Sequence, residues 1–241
     1  VAYAIDPLIE LLDGVSEFKD LRRVYIEYWT SNGVRMMSYH HLPPPGASDY
    51  EHDISVAAHG FPDDWVRRYV DNRWWSVDPI PAMAAESAHP KWWHEARSLD
   101  ELSPEALAYL DQLDAENLGF GLAVPVYGPC GRDGYWGIGF GHERPDLTDA
   151  EVSRIHWACQ IGHLCYCRLL SACPNANVRL SPRESEILDW VARGKSNAVI
   201  ADIIGISANT VDTYVRRIFV KLHVSDRVTA ALRGLALGLV R

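Results

Sequence analysis

Residues 180–241 constrain the fold more than any other stretch, because four short helical patterns there each carry their own start and stop signals. Ser181 is a good N-cap, Pro182 suits the first helical position, and Glu184 follows three residues after the cap as in a capping box. Ile187, Leu188 and Val191 form an apolar face, and Gly194 supplies the stop. Ser196 caps a second pattern, with Val199, Ile200, Ile203 and Ile204 inward and Gly205 at its end. Ser207 caps a third, running to about Leu222 with Val211, Val215, Ile218 and Leu222 inward, and a fourth runs from about Asp226 to Leu237. Two short helices joined by a glycine-bearing turn are the layout of a helix-turn-helix. The outer face of the third helix is polar and largely basic: Asn209, Thr210, Thr213, Arg216, Arg217 and Lys221. Its N-terminus also offers backbone N–H groups to a phosphate. One basic helix alone reads equally well as a solvated face. Caps, glycines and helix lengths in register favour DNA contact.

Charge divides the chain in the same place. The whole sequence has 23 Lys and Arg against 32 Asp and Glu. Residues 175–241 hold 10 of the basic and 6 of the acidic groups, a net of +4, which leaves a net of −13 on residues 1–174. A basic module behind an acidic one suits nucleic-acid contact at the C-terminal part only. We therefore expect a domain at 1–173, a linker at 174–179 around Pro174-Asn175-Ala176-Asn177, and a domain at 180–241. There is no 18-residue apolar run, and no basic stretch followed by an apolar one opens the chain. Five cysteines without a CxxC pair read as free thiols in a reducing compartment. No membrane contact and a cytoplasmic location are expected.

In the first domain, helices are predicted at about 6–13 and 17–31, a strand at 34–42, and a short strand at about Ile54 to Ala58. A helix from Pro62 to about Asn72 and another at 104–117 follow. Apolar runs at 119–127 and 134–142 read as a hairpin, and Thr148-Asp149-Ala150-Glu151 opens a long helix to about Ala172. The fold class predicted is α+β: an α/β/α sandwich around an antiparallel sheet, plus a C-terminal four-helix helix-turn-helix domain. Ile155, Ala158, Gly162, Cys165 and Leu169 share one face of the long helix, which is expected to serve as a dimer seam.

Aromatic residues crowd positions 61–93: Phe61, Trp65, Tyr69, Trp74, Trp75, Trp92 and Trp93. Trp65 and Tyr69 are four apart and share a helix face, and Asp78 follows beyond the helix exit. An indole N–H and a carboxylate together can hold a carbonyl and an amide N–H of a ligand. Left unpaired in a buried site, each would cost about 1–3 kcal/mol. On spacing alone, a network with every partner internal is the favoured reading.

Residues 180–241 resemble the LuxR-type helix-turn-helix through Leu180, Arg183, Glu184, Leu188, Gly194, Lys195, Ser196, Ile200, Ala201, Ile206, Ser207, Thr210, Val211, Lys221, Leu222, Arg227 and Ala231. Asp212, Tyr214 and Arg217 depart from residues common there. Trp65, Tyr69, Asp78-Pro79, Trp93, and Gly121 before Pro125 resemble the autoinducer-binding domain of the same family, the acyl-homoserine-lactone receptors. The resemblance implies a regulator of transcription in quorum sensing that binds an N-acyl or aryl homoserine lactone and, as a homodimer, a two-fold symmetric DNA site. RNA polymerase is a further implied partner. No cofactor beyond the signal is expected. By this likeness the Trp65 N–H bonds the lactone carbonyl, Asp78 accepts the amide N–H, Tyr69 packs beside the amide and tail, Trp93 packs on the lactone ring, and Gly121 allows the close packing. Phe61 stands where many relatives have a tyrosine that bonds the amide carbonyl, and Gly137 where some have a Ser or Thr. An unsubstituted, branched or aryl tail is therefore expected over a 3-oxo tail. Val70, Trp75 and Ile80 are expected as wall residues. On the DNA side the implied contacts are Lys195, Ser196, Asn209, Thr210, Thr213, Tyr214, Arg216, Arg217 and Lys221, with the cations on phosphates and Asn209, Thr210 and Thr213 on base edges.

Other signals are weaker. His156, Cys159, His163 and Cys167 share helical spacing, but such residues also pack as core, and no metal site is expected. No HExxH, GxSxG or P-loop pattern occurs, so no enzyme is expected. A phosphorylation-controlled or ligand-independent regulator with the same DNA-binding domain is the alternative. The phosphorylated form requires an alternating α/β domain, which the N-terminal pattern does not show.

Overall fold

The computed structural model describes residues 2–47, 56–171 and 178–240. The chain divides into two compact units, the first carrying a sheet and the second the helices from Pro182 onward. Ile54, Cys173 and residues 174–177 of the expected linker lie outside the described residues.

The first unit is built on five antiparallel strands: β1 (Met36–Leu42), β2 (Val56–His59), β3 (Lys91–Trp92), β4 (Phe120–Tyr127) and β5 (Asp133–Gly141). Their order is β2-β1-β5-β4-β3. Successive side chains on a strand point to opposite faces, so the sheet sorts its residues into two cores. One face carries Met37, Tyr39, Leu122, Val124, Val126, Trp136, Ile138 and Phe140. It packs on α1 (Asp6–Asp13), α2 (Phe18–Ser31) and α6 (Asp149–Ser171) through Leu8, Leu12, Tyr25, Trp29, Ile155 and Ala158. The other face carries small residues, Ser38, Gly121, Ala123, Gly137 and Gly139, beside Met36, His40 and Tyr135. Over it lie α3 (Asp63–Asp71), α4 (Pro79–Ser87) and α5 (Pro104–Glu116). The sandwich expected from the element order is thus present.

The long helix begins as its capping box predicts: Thr148 N donates to Glu151 Oε2 at 2.9 Å. The face assigned to a dimer seam is not exposed. Ile155 and Ala158 are fully buried, Cys165 and Leu169 nearly so, and all four belong to the first core. Gly162 makes room for α2 rather than for a second chain, since a Cβ there would lie 2.3 Å from the Tyr25 hydroxyl. That hydroxyl donates to Ala158 O at 2.6 Å. The periodicity located an apolar face correctly and could not say which partner covered it. The surface of α6 carries Trp157 and Leu164 instead, 61% and 47% exposed, with half-buried Ile161 between them in spacing.

The second unit holds α7 (Pro182–Ala192), α8 (Asn197–Ile204), α9 (Ala208–Leu222) and α10 (Arg227–Ala236). Ser181, Ser196, Ser207 and Asp226 each accept a backbone N–H of the helix they start. Gly205 closes α8 in the left-handed region at φ 69°. The bend between α8 and α9 is 110°, within the range of a helix-turn-helix. Ile187, Leu188, Ile200, Val211, Ile218 and Leu222 fill this core.

Gly162→Ala should push the Tyr25 ring away from α6 and break its bond to Ala158 O. A loss of about 1–3 kcal/mol is expected for overpacking with loss of a buried hydrogen bond. Thermal unfolding followed by circular dichroism checks this, and an unchanged midpoint would show that α2 and α6 are not locked at this point.

Candidate functional site

The pocket lies between the small-residue face of the sheet and helices α3, α4 and α5. Trp65, Val66 and Tyr69 reach it from one face of α3, and Phe61 from the bend before that helix. Asp78 is the N-cap of α4: its Oδ1 accepts from Ile80 N at 2.9 Å, and Pro79 occupies the first helical position. Trp93 enters from the turn after β3, Tyr109 and Leu113 from α5, and Ser38, His40 and Tyr135 from the sheet. Half of the fourteen described lining side chains are rings and most of the rest are aliphatic, with polar groups set among them as in small-molecule sites.

Its polar centre is Asp78. Tyr69 and Tyr109 both donate to Oδ2, at 3.0 and 3.1 Å. Burial pushes the carboxyl up to about 6, while the bonds from Ile80, Tyr69 and Tyr109 hold it back. Burial raises the phenols of Tyr69, Tyr109 and Tyr135, and the Asp78 charge raises them further, so all three keep their protons. Burial lowers His40 to about 4, which leaves a neutral imidazole at the wall.

Among the expected site residues, the structure brings together Phe61, Trp65, Tyr69, Asp78, Ile80 and Trp93 around this cavity. Gly121 stands behind Trp93, where a Cβ would come within 2.4 Å of the indole. Gly137 does not itself line the cavity: it lies behind Ser38, Tyr135 and Trp93, all three within 3.5 Å of where its Cβ would be. Val70 does not belong to the wall. It is 44% exposed, because helical spacing turns Val66 inward with Trp65 and Tyr69 and sends Val70 outward. Trp75 is also off the cavity, half-buried with Arg73 over its ring at 5.7 Å. The sequence reading missed Ser38, His40, Val66, Tyr109, Leu118 and Tyr135. Period-two alternation within β1 and β5 would have grouped Ser38 with His40 and Tyr135 with Gly137.

On the second unit, Asn209, Thr210, Thr213, Tyr214 and Arg217 line a shallow groove along the exposed side of α9. Arg217 lies over the Tyr214 ring at 5.7 Å, and Arg216 pairs with Asp212 at 2.9 Å. Lys195 and Ser196 sit at the start of α8, where Ser196 is the cap and Lys195 O accepts from Arg227. Lys221 is placed differently from expectation. Its amine donates to Glu184 Oε2 at 2.6 Å and to Arg179 O at 3.3 Å. Glu184 is 3% exposed. Burial raises its carboxyl, and the bonds from Lys221 and Ser181 outweigh that, leaving it below its usual range. The Lys221 charge therefore compensates a buried carboxylate.

The residues of the cysteine and histidine stripe on α6 bond internally. His156 Nε2 meets Pro125 O at 3.0 Å, and His163 Nδ1 meets the Tyr39 hydroxyl at 2.9 Å. No group of three or more metal-binding side chains occurs among the described residues. No single described helix is long and apolar enough to cross a membrane.

Residues 19–166 match the model of the autoinducer binding domain, and residues 178–233 that of the bacterial regulatory proteins of the luxR family. The chain is 31% identical over 184 residues to the HTH-type quorum sensing-dependent transcriptional regulator RpaR of Rhodopseudomonas palustris, covering 76% of this chain and 74% of that protein. It is 29% identical to the transcriptional activator BjaR1 of Bradyrhizobium diazoefficiens over 78% of this chain and 76% of that one. Among solved structures, SdiA of Escherichia coli superimposes with a TM-score of 0.76 over 97% of this chain and 96% of that chain, at 19% identity. SdiA in complex with octanoyl-rac-glycerol gives 0.75, also at 19% identity, over 98% and 94%. At such identity the likeness to SdiA is one of fold.

Two outcomes are expected from this geometry. A ligand that donates a hydrogen bond to ionised Asp78 should bind more weakly as pH falls through about 6, by up to roughly tenfold per pH unit below that value. Titration calorimetry between pH 5 and 7.5 checks it, and Asp78→Asn should flatten the profile. Lys221→Ala should destabilise the second unit by about 1–3 kcal/mol, discounted for the partial exposure of the amine, because Glu184 is left buried and unpaired. Arg217→Ala should leave stability unchanged. Equal unfolding midpoints for the two variants would remove the distinction.

Proposed function

The chain belongs to the LuxR-type transcriptional regulators of quorum sensing that carry an autoinducer-binding domain, and from that premise we propose that its signal is an N-acyl or aryl homoserine lactone. The observation that carries this reading is the Asp78 carboxyl, held by two tyrosines inside a pocket of aromatic and aliphatic side chains. A carboxylate there accepts the amide N–H of such a ligand, the Trp65 indole donates to the lactone carbonyl, Tyr69 packs beside the amide, and Trp93 covers the ring. An ion buried in apolar surroundings is costly unless it is bonded, so a ligand that adds a donor is favoured. Ligand bound to the folded form alone stabilises it by mass action. An unsubstituted, branched or aryl tail suits the aromatic wall better than a 3-oxo tail.

On the DNA side we propose a homodimer that presents two α9 helices to successive major grooves of a two-fold symmetric site. Asn209, Thr210 and Thr213 are the candidates for base edges, and Arg216 and Arg217 for phosphates. Lys195 and Ser196 approach the backbone at the start of α8. The exposed stripe Trp157, Ile161 and Leu164 on α6 is the dimer face in this reading, in place of the buried one. RNA polymerase is the partner that turns occupancy into transcription, and the cytoplasm is the place of action. The relatives named above are transcriptional regulators rather than enzymes.

Full-length chain should gain thermal stability with at least one member of a panel of N-acyl and aryl homoserine lactones, and Asp78→Ala should show none of that gain. Octanoyl-glycerol, the molecule in the SdiA complex, is the informative control because it lacks an amide N–H. Stabilisation by octanoyl-glycerol and by no lactone would overturn the signal assignment. Trp157→Glu combined with Leu164→Glu should shift the ligand-bound chain to monomer in sedimentation velocity and weaken DNA binding. An unshifted dimer would place the contact elsewhere.

A further inference from the structure

Among the described residues, four hydroxyls line the pocket, those of Ser38, Tyr69, Tyr109 and Tyr135. Tyr69 and Tyr109 are spent on Asp78. Ser38 and Tyr135 are not among its donors, and they converge elsewhere. A Cβ placed on Gly137 would lie 2.6 Å from Ser38 Oγ and 3.1 Å from the Tyr135 hydroxyl oxygen, with Trp93 Cζ2 at 3.5 Å. The two oxygens therefore sit within about 6 Å of each other, over one glycine and beside the Trp93 indole. Strand pairing fixes them there: Ser38 faces Gly137 and His40 faces Tyr135 across β1 and β5. Both residues are buried, at 9% and 5% exposure, in the middle of a paired sheet.

This places two kinds of group on opposite walls. Asp78 belongs to the helical layer and accepts; Ser38 and Tyr135 belong to the sheet and carry hydroxyls able to donate. An amide presents its N–H and its C=O on opposite edges, so a carboxylate alone fixes only one edge. Phe61 supplies no hydroxyl for the other, and Gly137 has no side chain to supply one.

We propose that Ser38 and Tyr135 are the carbonyl-binding residues of this pocket, donating to the acyl carbonyl of an amide ligand whose N–H goes to Asp78. They take over the bond that Phe61 cannot make, and Gly137 is the residue that admits them, because any Cβ there displaces Ser38 Oγ. The proposal rests on reading the pocket as an acyl-lactone site. It makes the acyl carbonyl, rather than the tail alone, a point of recognition on the sheet side.

The test uses full-length chain and dissociation constants from tryptophan fluorescence for a panel of N-acyl-L-homoserine lactones. The tightest binder is then compared with its analogue in which the amide is reduced to an amine, removing the carbonyl. Ser38→Ala and Tyr135→Phe should each weaken the lactone by roughly tenfold, the size expected for a lost buried hydrogen bond. Neither should change binding of the reduced analogue by more than about twofold on the same scale. Phe61→Tyr in the Tyr135→Phe background should recover part of the loss. Ligand-free melting temperatures identify any variant weakened by misfolding, and the other variant then carries the comparison. Constants within twofold of wild type for both variants would overturn the proposal, as would equal losses on lactone and reduced analogue. Failure of the wild-type chain to bind any acyl lactone would overturn the pocket reading and the proposal with it.

Discussion

The Asp78 carboxyl is the point on which the first unit depends. It is the N-cap of α4 through Oδ1, and through Oδ2 it receives Tyr69 from α3 and Tyr109 from α5. One buried acid thus ties together three helices that make no sheet of their own. Burial alone would neutralise it, and the raised value near 6 shows that its three donors compensate only in part. Because the folded value lies above the ordinary carboxylate value, ionisation costs the fold stability above about pH 6, and that cost is absent at acid pH where the group is neutral in both states. A ligand N–H aimed at the carboxylate relieves the same cost. Binding and the packing of α3, α4 and α5 are therefore parts of one equilibrium, which is how occupancy of a pocket can be felt by the whole unit.

The sheet makes that pocket possible by being asymmetric. Its covered face is filled by large residues from β1, β4 and β5 against α1, α2 and α6. Its pocket face carries Ser38, Gly121, Ala123, Gly137 and Gly139, whose small volumes leave the space that α3 and α5 roof over. The two close approaches of Trp93, to Gly121 and to Gly139, show how little margin remains. Added volume at either position moves the indole, and with it the floor of the cavity.

Much of this was readable beforehand, and the failures have physical causes. The second unit was legible almost residue by residue, because each helix carries a side-chain cap and local signals decide local structure. In the first unit the sequence reading assigns no helix at α4, although Asp78-Pro79 is itself a cap followed by a favoured first residue. Strand β3 has two residues and no period to detect. Trp65, Tyr69 and Asp78 stand out because they lie close in sequence and carry unusual chemistry, and the family resemblance adds Trp93. Ser38, Tyr109 and Tyr135 were missed because they reach the pocket from β1, α5 and β5, and only the fold brings them there. The buried face of α6 illustrates the same limit, since periodicity marks an apolar stripe without identifying what it meets.

The outer side of α9 in the second unit offers few uncommitted charges to a phosphate backbone. Of the three cations on the outer side of α9, Lys221 is committed to Glu184, and Arg216 is partnered by Asp212 one turn earlier. Arg217 rests on the Tyr214 ring, which orients the guanidinium without neutralising it. Each phosphate neutralised contributes about 0.9 to the salt dependence of affinity, so a helix with so few uncommitted charges gains little from electrostatics alone. The net −13 of residues 1–174 adds a repelling field. In the proposed homodimer, two such units on one site would make the second contact at high effective concentration. Under that proposal, control of DNA contact passes to whatever stabilises the paired state, and the pocket around Asp78 is the part of the chain proposed to do so.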